Sequence, residues 1–278
     1  MIPIIFAQSG IFDKPEYDSF AEACGQYNVE FRKMEFKDIL REVGRQEDSS
    51  HCWLWGSVEA HKILPLCRSM VNWNVYADTF YRQYVPKELF LNQDVNYCLV
   101  SDLPGILVDN TRLFVRPIGG DKVFTGALLK NIDTASLKRD LWVAKSPEKD
   151  IGAEYRFIVQ KGCPYNPYLG LKEQPYRIVS GARYITEDEK IVQSFQYKEN
   201  RLDPTHSAWE AAVEILLCCE GYLRFADKVF TMDLCWDREC KAYKIVEFNS
   251  FWSAGIYGND VSEVVRAIGE IYTEKKYG

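Results

Sequence analysis

Residues 229–250, VFTMDLCWDRECKAYKIVEFNS, predict two β-strands joined by a short polar turn. Both arms are rich in the β-branched and aromatic residues that favour strands. With the hairpin centred near Cys240, Asp233 falls opposite Glu247. Asn249 shares the face of Glu247, because side chains two apart on a strand point the same way. Two carboxylates opposite each other repel, whereas Asp, Glu and Asn together supply the oxygen ligands that Mg²⁺ prefers, so the hairpin predicts a metal site.

An acidic face that points at water is the alternative interpretation, because exposed carboxylates are common. Apolar residues flank the acidic positions on both arms: Met232, Leu234, Ile245, Val246 and Phe248. They indicate a covered hairpin, in which unpaired carboxylates cost free energy. The hairpin alone leaves both interpretations open. If metal binding is the purpose, Asp233→Asn should leave the metal-free protein equally or more stable, because it removes repulsion.

Composition describes a folded globular protein with one large domain or two modest ones. The chain has 278 residues, of which 47% are hydrophobic and 14% aromatic. A formal net charge of −6 and an isoelectric point near 5.3 argue against a general nucleic-acid or anionic-membrane binder.

Cysteine and histidine usage argues against two common kinds of metal site. The nine cysteines include no C-x-x-C pair and the three histidines are widely spaced, so neither a zinc ribbon nor a histidine-rich site is expected. The first residues lack a signal-peptide pattern, and no apolar run reaches the roughly 20 residues of a membrane span. We therefore expect a cytoplasmic protein with reduced cysteines.

Two architectures follow each other along the chain. Residues 1–76 alternate short strands with helices, which predicts a small α/β domain with a parallel sheet. Residues 77–278 contain runs of strands and predict an α+β body. Further elements are expected in this second part, with helices at 134–139, 207–221 and 261–272 and strands at 178–185 and 191–197.

Residues 113–126, LFVRPIGGDKVFTG, form a candidate phosphate-binding motif. A strand ends in Arg116 and a proline, and a glycine-bearing loop follows. Glycines let backbone N–H groups approach phosphate, and a guanidinium can hold phosphate oxygens in a fork. The motif is neither G-x-x-x-x-G-K-[ST] nor G-x-G-x-x-G, and an ordinary hairpin tip would show the same pattern.

Charged residues on two later strands form the third candidate cluster. Glu154 and Arg156 share one strand face, and Arg183 follows in the strand GARYI. If they are buried, these groups form a structural ion pair. If they line a cleft, they can bind ribose hydroxyls and phosphate.

The order of these elements resembles the ATP-grasp superfamily, which includes D-alanine–D-alanine ligase and the ligases that add glutamate to proteins. That order is a cation-Pro strand, a glycine loop, E-x-R, a strand arginine, then Asp and Glu-x-Asn on successive strands. The resemblance covers roughly residues 77–278, while residues 1–76 resemble the small domain that precedes the core in many members. It implies an α+β ATP-grasp fold, in which two α+β subdomains hold ATP between them, behind a small α/β domain.

The resemblance also implies ATP and one or two Mg²⁺ ions (or Mn²⁺) as cofactors, and a role for each motif residue. Asp233, Glu247 and Asn249 would hold the metal. The glycine loop would cover the β- and γ-phosphates, the hinge strand would contact adenine and a carboxylate would meet the ribose. These cofactor-binding positions are Arg116, Gly119, Gly120, Lys122, Gly126, Lys145, Ser146 and Glu154. Arg156 and Arg183 would be catalytic and would steady the transferring phosphoryl group.

Two departures from the family pattern stand out. Lysine usually precedes the proline of the phosphate strand, whereas this chain has Arg116, as in one clade of the family. Arginine keeps the charge but changes the geometry of the phosphate contact. An upstream cation that often touches the α-phosphate has two candidates here, Arg82 and Lys87.

The leading hypothesis is an ATP-dependent carboxylate–amine ligase that passes through an acyl phosphate and releases ADP and phosphate. The alternatives are a phosphotransferase that stops after phosphorylating its acceptor, and a protein that binds ATP without turnover. The substrates would be carboxylates and amines of small molecules, peptides or proteins. Membrane and general nucleic-acid partners are not expected.

Overall fold

The computed structural model describes residues 2–45, 49, 51–64, 71–106, 112–118, 124, 126–163, 174–184 and 205–277. The strands in these ranges form one three-stranded and two four-stranded sheets. The predicted strand at 191–197 lies outside the described residues.

The first sheet is parallel, as the β-α-β order predicts. Its strands stand in the order β2-β1-β3, with β1 at Ile4–Gln8, β2 at Glu30–Met34 and β3 at Cys52–Trp55. Its helices are α1 (Lys14–Gln26), α2 (Phe36–Val43) and α3 (Val58–Ile63). The strand β1 is buried over four successive residues because it lies between the other two strands and is covered on both faces.

The second sheet is antiparallel, in the order β4-β7-β5-β6. Its strands are β4 (Asn96–Leu99), β5 (Leu113–Pro117), β6 (Ala127–Leu128) and β7 (Trp142–Pro147), and the short helices α4 (Asp78–Tyr81) and α5 (Leu103–Ile106) precede β5. A 3-10 turn at Trp73–Tyr76 leads into α4. The predicted domain boundary after residue 76 falls between that turn and α4, and it stays a prediction.

The prediction of a helix at residues 134–139 is wrong, because this segment forms turns. The carboxylate of Asp133 accepts a hydrogen bond from the N–H of Ala135 at 3.1 Å, and the Ser136 hydroxyl donates to the Asp133 carbonyl at 2.8 Å. Such local bonds give the backbone partners that a helix would otherwise supply.

The third sheet is the largest and is antiparallel throughout, in the order β11-β10-β8-β9. Its strands are β8 (Ile151–Cys163), β9 (Gln174–Tyr184), β10 (Val229–Asp237) and β11 (Ala242–Ser250). The helix predicted at 207–221 appears as α6 (Thr205–Cys218) and α7 (Glu220–Leu223), and the chain ends in α8 (Val261–Tyr277).

The buried apolar residues divide between the sheets. One continuous cluster joins the inner face of the first sheet to the third sheet, for example through Ile5, Trp55, Phe157 and Phe230. The second sheet has a smaller cluster of its own: Val100, Leu103, Val115, Leu129 and Val143. The first and third sheets therefore share a core, and the second sheet packs separately. Within the described residues, no helix is both long enough and apolar enough to cross a membrane.

Candidate functional site

A cavity of about 550 Å³ lies between the second and third sheets and is also lined by residues from the first 76. The second sheet contributes Phe114 and Arg116. The third sheet contributes a charged floor, formed by Glu154, Arg156, Asp233 and Glu247. The first 76 residues contribute Val58 and Trp73. A cavity of this size, lined by parts of the chain far apart in sequence, is typical of a small-molecule binding site.

The hairpin has the register that the sequence predicts, with Asp233 directly opposite Glu247. On its other side Asp233 is opposite Arg156 of β8, so the three side chains form a row across the floor. A β-bulge follows Asp233, and Val246 is the extra residue that it accommodates. Val246 and Glu247 therefore both line the cavity, although they are adjacent in sequence.

The Arg156 guanidinium binds the Asp233 carboxylate as a fork, with Nε to Oδ1 at 2.8 Å and Nη2 to Oδ2 at 2.6 Å. Its Nη1 donates to the Gly255 carbonyl at 3.0 Å, and the Tyr257 ring centroid lies 4.3 Å from its central carbon. The side chains of Arg156 and Asp233 are only 9% and 15% exposed. Without the Asp233 charge the buried Arg156 guanidinium would lose its counterion. This overturns the expectation that Asp233→Asn leaves the metal-free protein equally or more stable.

The floor carries an excess of negative charge. Glu154, Asp233 and Glu247 line the cavity beside the single guanidinium of Arg156. Burial raises the pKa of Glu154, and the charges of Asp233 and Glu247 raise it further. Three carboxylates against one guanidinium leave two negative charges, which a divalent cation would neutralise.

The residues of the hairpin fit a hard cation by their chemistry. The Asn249 amide donates to Glu247 Oε1 at 2.7 Å, which directs the amide oxygen away from that carboxylate. Each carboxylate oxygen has two lone pairs, so Asp233 can accept from Arg156 and still bind a metal. Among the residues that the structure describes, no group of three His, Cys, Asp or Glu side chains is arranged for a metal. The candidate set of Asp233, Glu247 and Asn249 combines two carboxylates with an amide oxygen.

Arg116 is fixed by a buried acid that the sequence motifs did not identify. Its Nη2 donates to Asp78 Oδ1 at 2.8 Å, and Asp78 is 2% exposed. Asp78 also accepts from the Tyr81 and Tyr97 hydroxyls, each at 2.6 Å, and from Arg82 Nε at 2.8 Å. Burial opposes ionisation of Asp78, but the two arginines and two hydroxyls outweigh it and hold the pKa below its ordinary value. One signal was present in the sequence: Asp78 is an isolated acid in an apolar and aromatic stretch.

The structure brings most of the predicted site residues together. Seven of them line the cavity: Arg116, Gly126, Glu154, Arg156, Asp233, Glu247 and Asn249. Gly126 allows β6 to approach β5, because a Cβ there would lie 2.8 Å from Phe114 Cζ. The predicted loop residues Gly119, Gly120 and Lys122 lie outside the described residues.

Three other predicted residues lie elsewhere. Arg183 is opposite Tyr155 in the register of β8 and β9, so it lies on the face of the sheet away from Glu154 and Arg156. Lys145 is opposite Val115, whose face covers the small core of the second sheet. Ser146 is opposite Phe114 but, like Lys145, is not among the residues that line the cavity.

Neither candidate for the upstream cation lines the cavity. Arg82 binds Asp78 and donates to the Asn92 carbonyl at 2.9 Å, and its guanidinium lies over the Phe90 ring. Lys87 begins a short 3-10 helix. Arg82 therefore shares the Asp78 carboxylate with Arg116 and supports the structure on the side away from the cavity.

No family model and no curated protein matches the sequence. Solved structures do match. N5-carboxyaminoimidazole synthase from Aspergillus clavatus, in complex with ADP and 5-aminoimidazole ribonucleotide, has a TM-score of 0.60 and 11% identity over 97% of this chain and 77% of that chain. D-Alanine–D-alanine ligase from Bacillus anthracis has a TM-score of 0.53 and 11% identity, and each chain is covered completely.

A third similar structure carries the fold name itself. The RimK domain ATP-grasp protein from Sphaerobacter thermophilus has a TM-score of 0.51 and 11% identity, over 96% of this chain and 98% of that chain. At these identities the similarity concerns the fold. The TM-scores of 0.51 to 0.60 over nearly the whole chain show that this chain has the ATP-grasp fold.

Proposed function

We propose that the protein is an ATP-dependent carboxylate–amine ligase that works through an acyl phosphate and releases ADP and phosphate. The observation that carries the proposal is the row of Arg156, Asp233 and Glu247 on the floor of a cavity that also contains Arg116. Similar structures with the same fold include D-alanine–D-alanine ligase from Bacillus anthracis, solved also in complex with ATP.

Asp233, Glu247 and Asn249 would hold Mg²⁺, which when bound neutralises negative charge on the ATP phosphates. The donor types fit this ion, and the two uncompensated negative charges of the floor match its charge. Glu154 lies on the same face and would meet the ribose. The pKa of Glu154 is raised, and a cation bound nearby would lower this pKa and so favour the ionised carboxylate.

Arg116 would bind ATP phosphate, and Asp78 would hold its guanidinium in place. Gly126 would belong, with Gly119, Gly120 and Lys122, to the loop that covers the β- and γ-phosphates. These roles rest on the family resemblance. We assign no adenine contact to Lys145 or Ser146, because neither lines the cavity.

Arg156 would steady the transferring phosphoryl group. Three of its five N–H donors are engaged, two by Asp233 and one by the Gly255 carbonyl. The other two have no partner among the described residues and are available to phosphate or acyl-phosphate oxygens. We assign no such contact to Arg183, because its strand register directs it to the other face.

The proposed reaction has two steps. A carboxylate oxygen of the acid attacks the γ-phosphorus, and the bond to the β–γ bridging oxygen breaks, so ADP leaves. The amine then attacks the acyl carbon, phosphate leaves with the electron pair of the carbon–oxygen bond, and the amine proton passes to solvent. Positioning and charge neutralisation supply most of the catalysis in phosphoryl transfer.

Product analysis tests the proposal. The protein is incubated with ATP, Mg²⁺, hydroxylamine and a panel of carboxylic acids, and nucleotides and hydroxamates are quantified. We expect ADP and a hydroxamate with the right acid, and loss of both in Arg156→Ala. AMP and pyrophosphate would contradict the acyl-phosphate route. A phosphorylated acid that persists in the presence of the amine would identify a phosphotransferase, and ATP binding without turnover on any acid would identify a non-catalytic protein.

A further inference from the structure

The cavity has an end wall that differs in chemistry from its floor. The wall is formed by Val58, Trp73, Tyr76, Ser253, Ala254 and Tyr257. None of these side chains is charged, and three of them are aromatic. The charged residues that line the cavity belong instead to the strands of the second and third sheets and to α4. One cavity therefore combines an ionic floor with an aromatic, uncharged end.

Hydrogen bonds within the chain hold the end wall in position. The Gly56 N–H donates to the Trp252 carbonyl at 2.9 Å, and Trp55 Nε1 donates to the Ala254 carbonyl at 3.1 Å. Glu16 Oε1 accepts from the Ile256 N–H at 2.6 Å. These bonds fix the segment after β11 to the first 76 residues. They also direct the Glu16 carboxylate to the backbone instead of the cavity.

The wall meets the floor at Arg156. The Gly255 carbonyl accepts from Arg156 Nη1, and the Tyr257 ring lies over the guanidinium. Tyr257 adopts a φ of 51°, in the left-handed region that non-glycine residues rarely occupy. Such strain is retained where the surroundings hold it and often marks a functional position. A molecule that lies against the wall would therefore place one end beside Arg156.

We infer that the acid substrate of the proposed ligase has an uncharged, aromatic body, which lies against this wall while its carboxylate faces Arg156. The inference rests on the proposed function, because it takes the reacting carboxylate to be at the floor. Aromatic rings favour offset or edge-to-face packing on Trp and Tyr side chains. A second charged group on the acid would find no counterion among the described residues of the wall, and its burial would be costly.

The test compares acids that differ only in the group at the far end of the chain. The protein is first saturated with Mg²⁺ and a non-hydrolysable ATP analogue, and calorimetric titrations follow with 3-phenylpropanoate, hexanoate and glutarate. We expect 3-phenylpropanoate to bind at least about tenfold more tightly than glutarate, with hexanoate between them. Failure of the ATP analogue to bind would count against the proposed function before any acid is added.

Two variants assign the preference to the wall. Trp73→Ala should weaken 3-phenylpropanoate binding about tenfold and leave binding of the ATP analogue unchanged. Trp142→Ala is the matched control, because Trp142 is 55% exposed and lies on β7 outside the cavity. Val58→Lys, which places a cation in the wall, should reverse the preference towards glutarate.

Three results would overturn the inference while leaving the ligase proposal standing. The first is glutarate binding as tightly as 3-phenylpropanoate to the unaltered protein. The second is an unchanged preference in both Trp73→Ala and Val58→Lys. The third is binding of none of the three acids to the nucleotide-loaded protein, while other acids give hydroxamate in the turnover assay.

Discussion

Asp78 shows how one buried carboxylate can hold the arginine of a site in position. It accepts hydrogen bonds from two arginines and two tyrosines, and its side chain is 1% exposed. Arg116 faces the cavity from one side of Asp78, and Arg82 lies behind it. Asp78 therefore sets the position of Arg116, the residue proposed to bind phosphate, and does not itself need to contact ATP.

We predict that Asp78→Asn lowers the free energy of unfolding by about 3 kcal/mol, because two largely buried guanidiniums lose their shared counterion. Chemical denaturation measures the change. Asp94→Asn, at an exposed position in a turn, is the control and should change it by less than about 0.5 kcal/mol. Equal effects of the two substitutions would mean that the Asp78 network does not stabilise the fold.

The second prediction concerns pH. Burial and two neighbouring carboxylates raise the pKa of Glu154 above its ordinary value of 4.5. Above pH 4.5 the folded protein then keeps a proton that the unfolded chain has lost. Metal-free stability should fall as pH rises from 4.5 through the raised pKa. Glu154→Gln should flatten this dependence in denaturation curves taken at a series of pH values. Parallel curves for Glu154→Gln and the parent protein would contradict the assignment.

At the scale of residues, the sequence predicts those pairings that follow from the alternation of side chains along a strand and from a short turn. The pairing of Asp233 with Glu247 follows from the hairpin alone and is confirmed. The face of Arg183 depends on how β9 aligns with β8, and the two strands are joined by a longer connection whose geometry the sequence does not define. The contacts of Asp78 join α4 to β4 and β5, and no local pattern predicts such pairings.

At the scale of elements, Gly181 on β9 allows close packing on one face of the third sheet. A Cβ there would lie 2.6 Å from the Phe157 ring and 3.3 Å from Trp209 of α6. The absence of a side chain lets α6 and the Phe157 ring approach β9. The helix is thereby held against the face of the sheet opposite the charged floor.

We predict that Gly181→Ala lowers the free energy of unfolding by about 1–3 kcal/mol through overpacking. Gly269→Ala is the matched control, because Gly269 lies in α8 with no atom within 4 Å of the added Cβ. It should stabilise the protein by about 0.5–1 kcal/mol, since alanine favours helix more than glycine does. The signs of the two changes, measured by denaturation, should be opposite, and a loss of stability in both would contradict the packing described.

Elements that bury a regular apolar face are predicted correctly, whereas the helix at 134–139 is not. The hairpin and the long helices near the end of the chain are confirmed because each buries a regular apolar face. Residues 134–139 have no such face, and bonds local to Asp133 decide their conformation. Only the tertiary structure shows the break between α6 and α7 at Cys219.

At the scale of the whole molecule, the buried apolar cores show which sheets pack together. The first and third sheets share one buried cluster, whereas the second sheet has its own. The cavity lies at the junction, with its floor and end wall on the shared core and Arg116 on the separate sheet. Residues from the second and third sheets, from α3 and from the segments after residue 72 and after β11 form the site, so its residues are spread from 58 to 257.

The central claim is that Asp233, Glu247 and Asn249 bind ATP through Mg²⁺. The most direct test is calorimetric titration of ATP with and without Mg²⁺, in the parent protein, in Asp233→Asn and in the control Asp150→Asn, an exposed carboxylate that pairs with Arg238. We predict that Mg²⁺ tightens ATP binding in the parent and the control, and that Asp233→Asn loses about tenfold or more of this gain, as expected for a charged ligand worth about 1.5–3 kcal/mol. ATP affinity that is independent of Mg²⁺, or an Asp233→Asn variant that keeps the full gain, would contradict the claim.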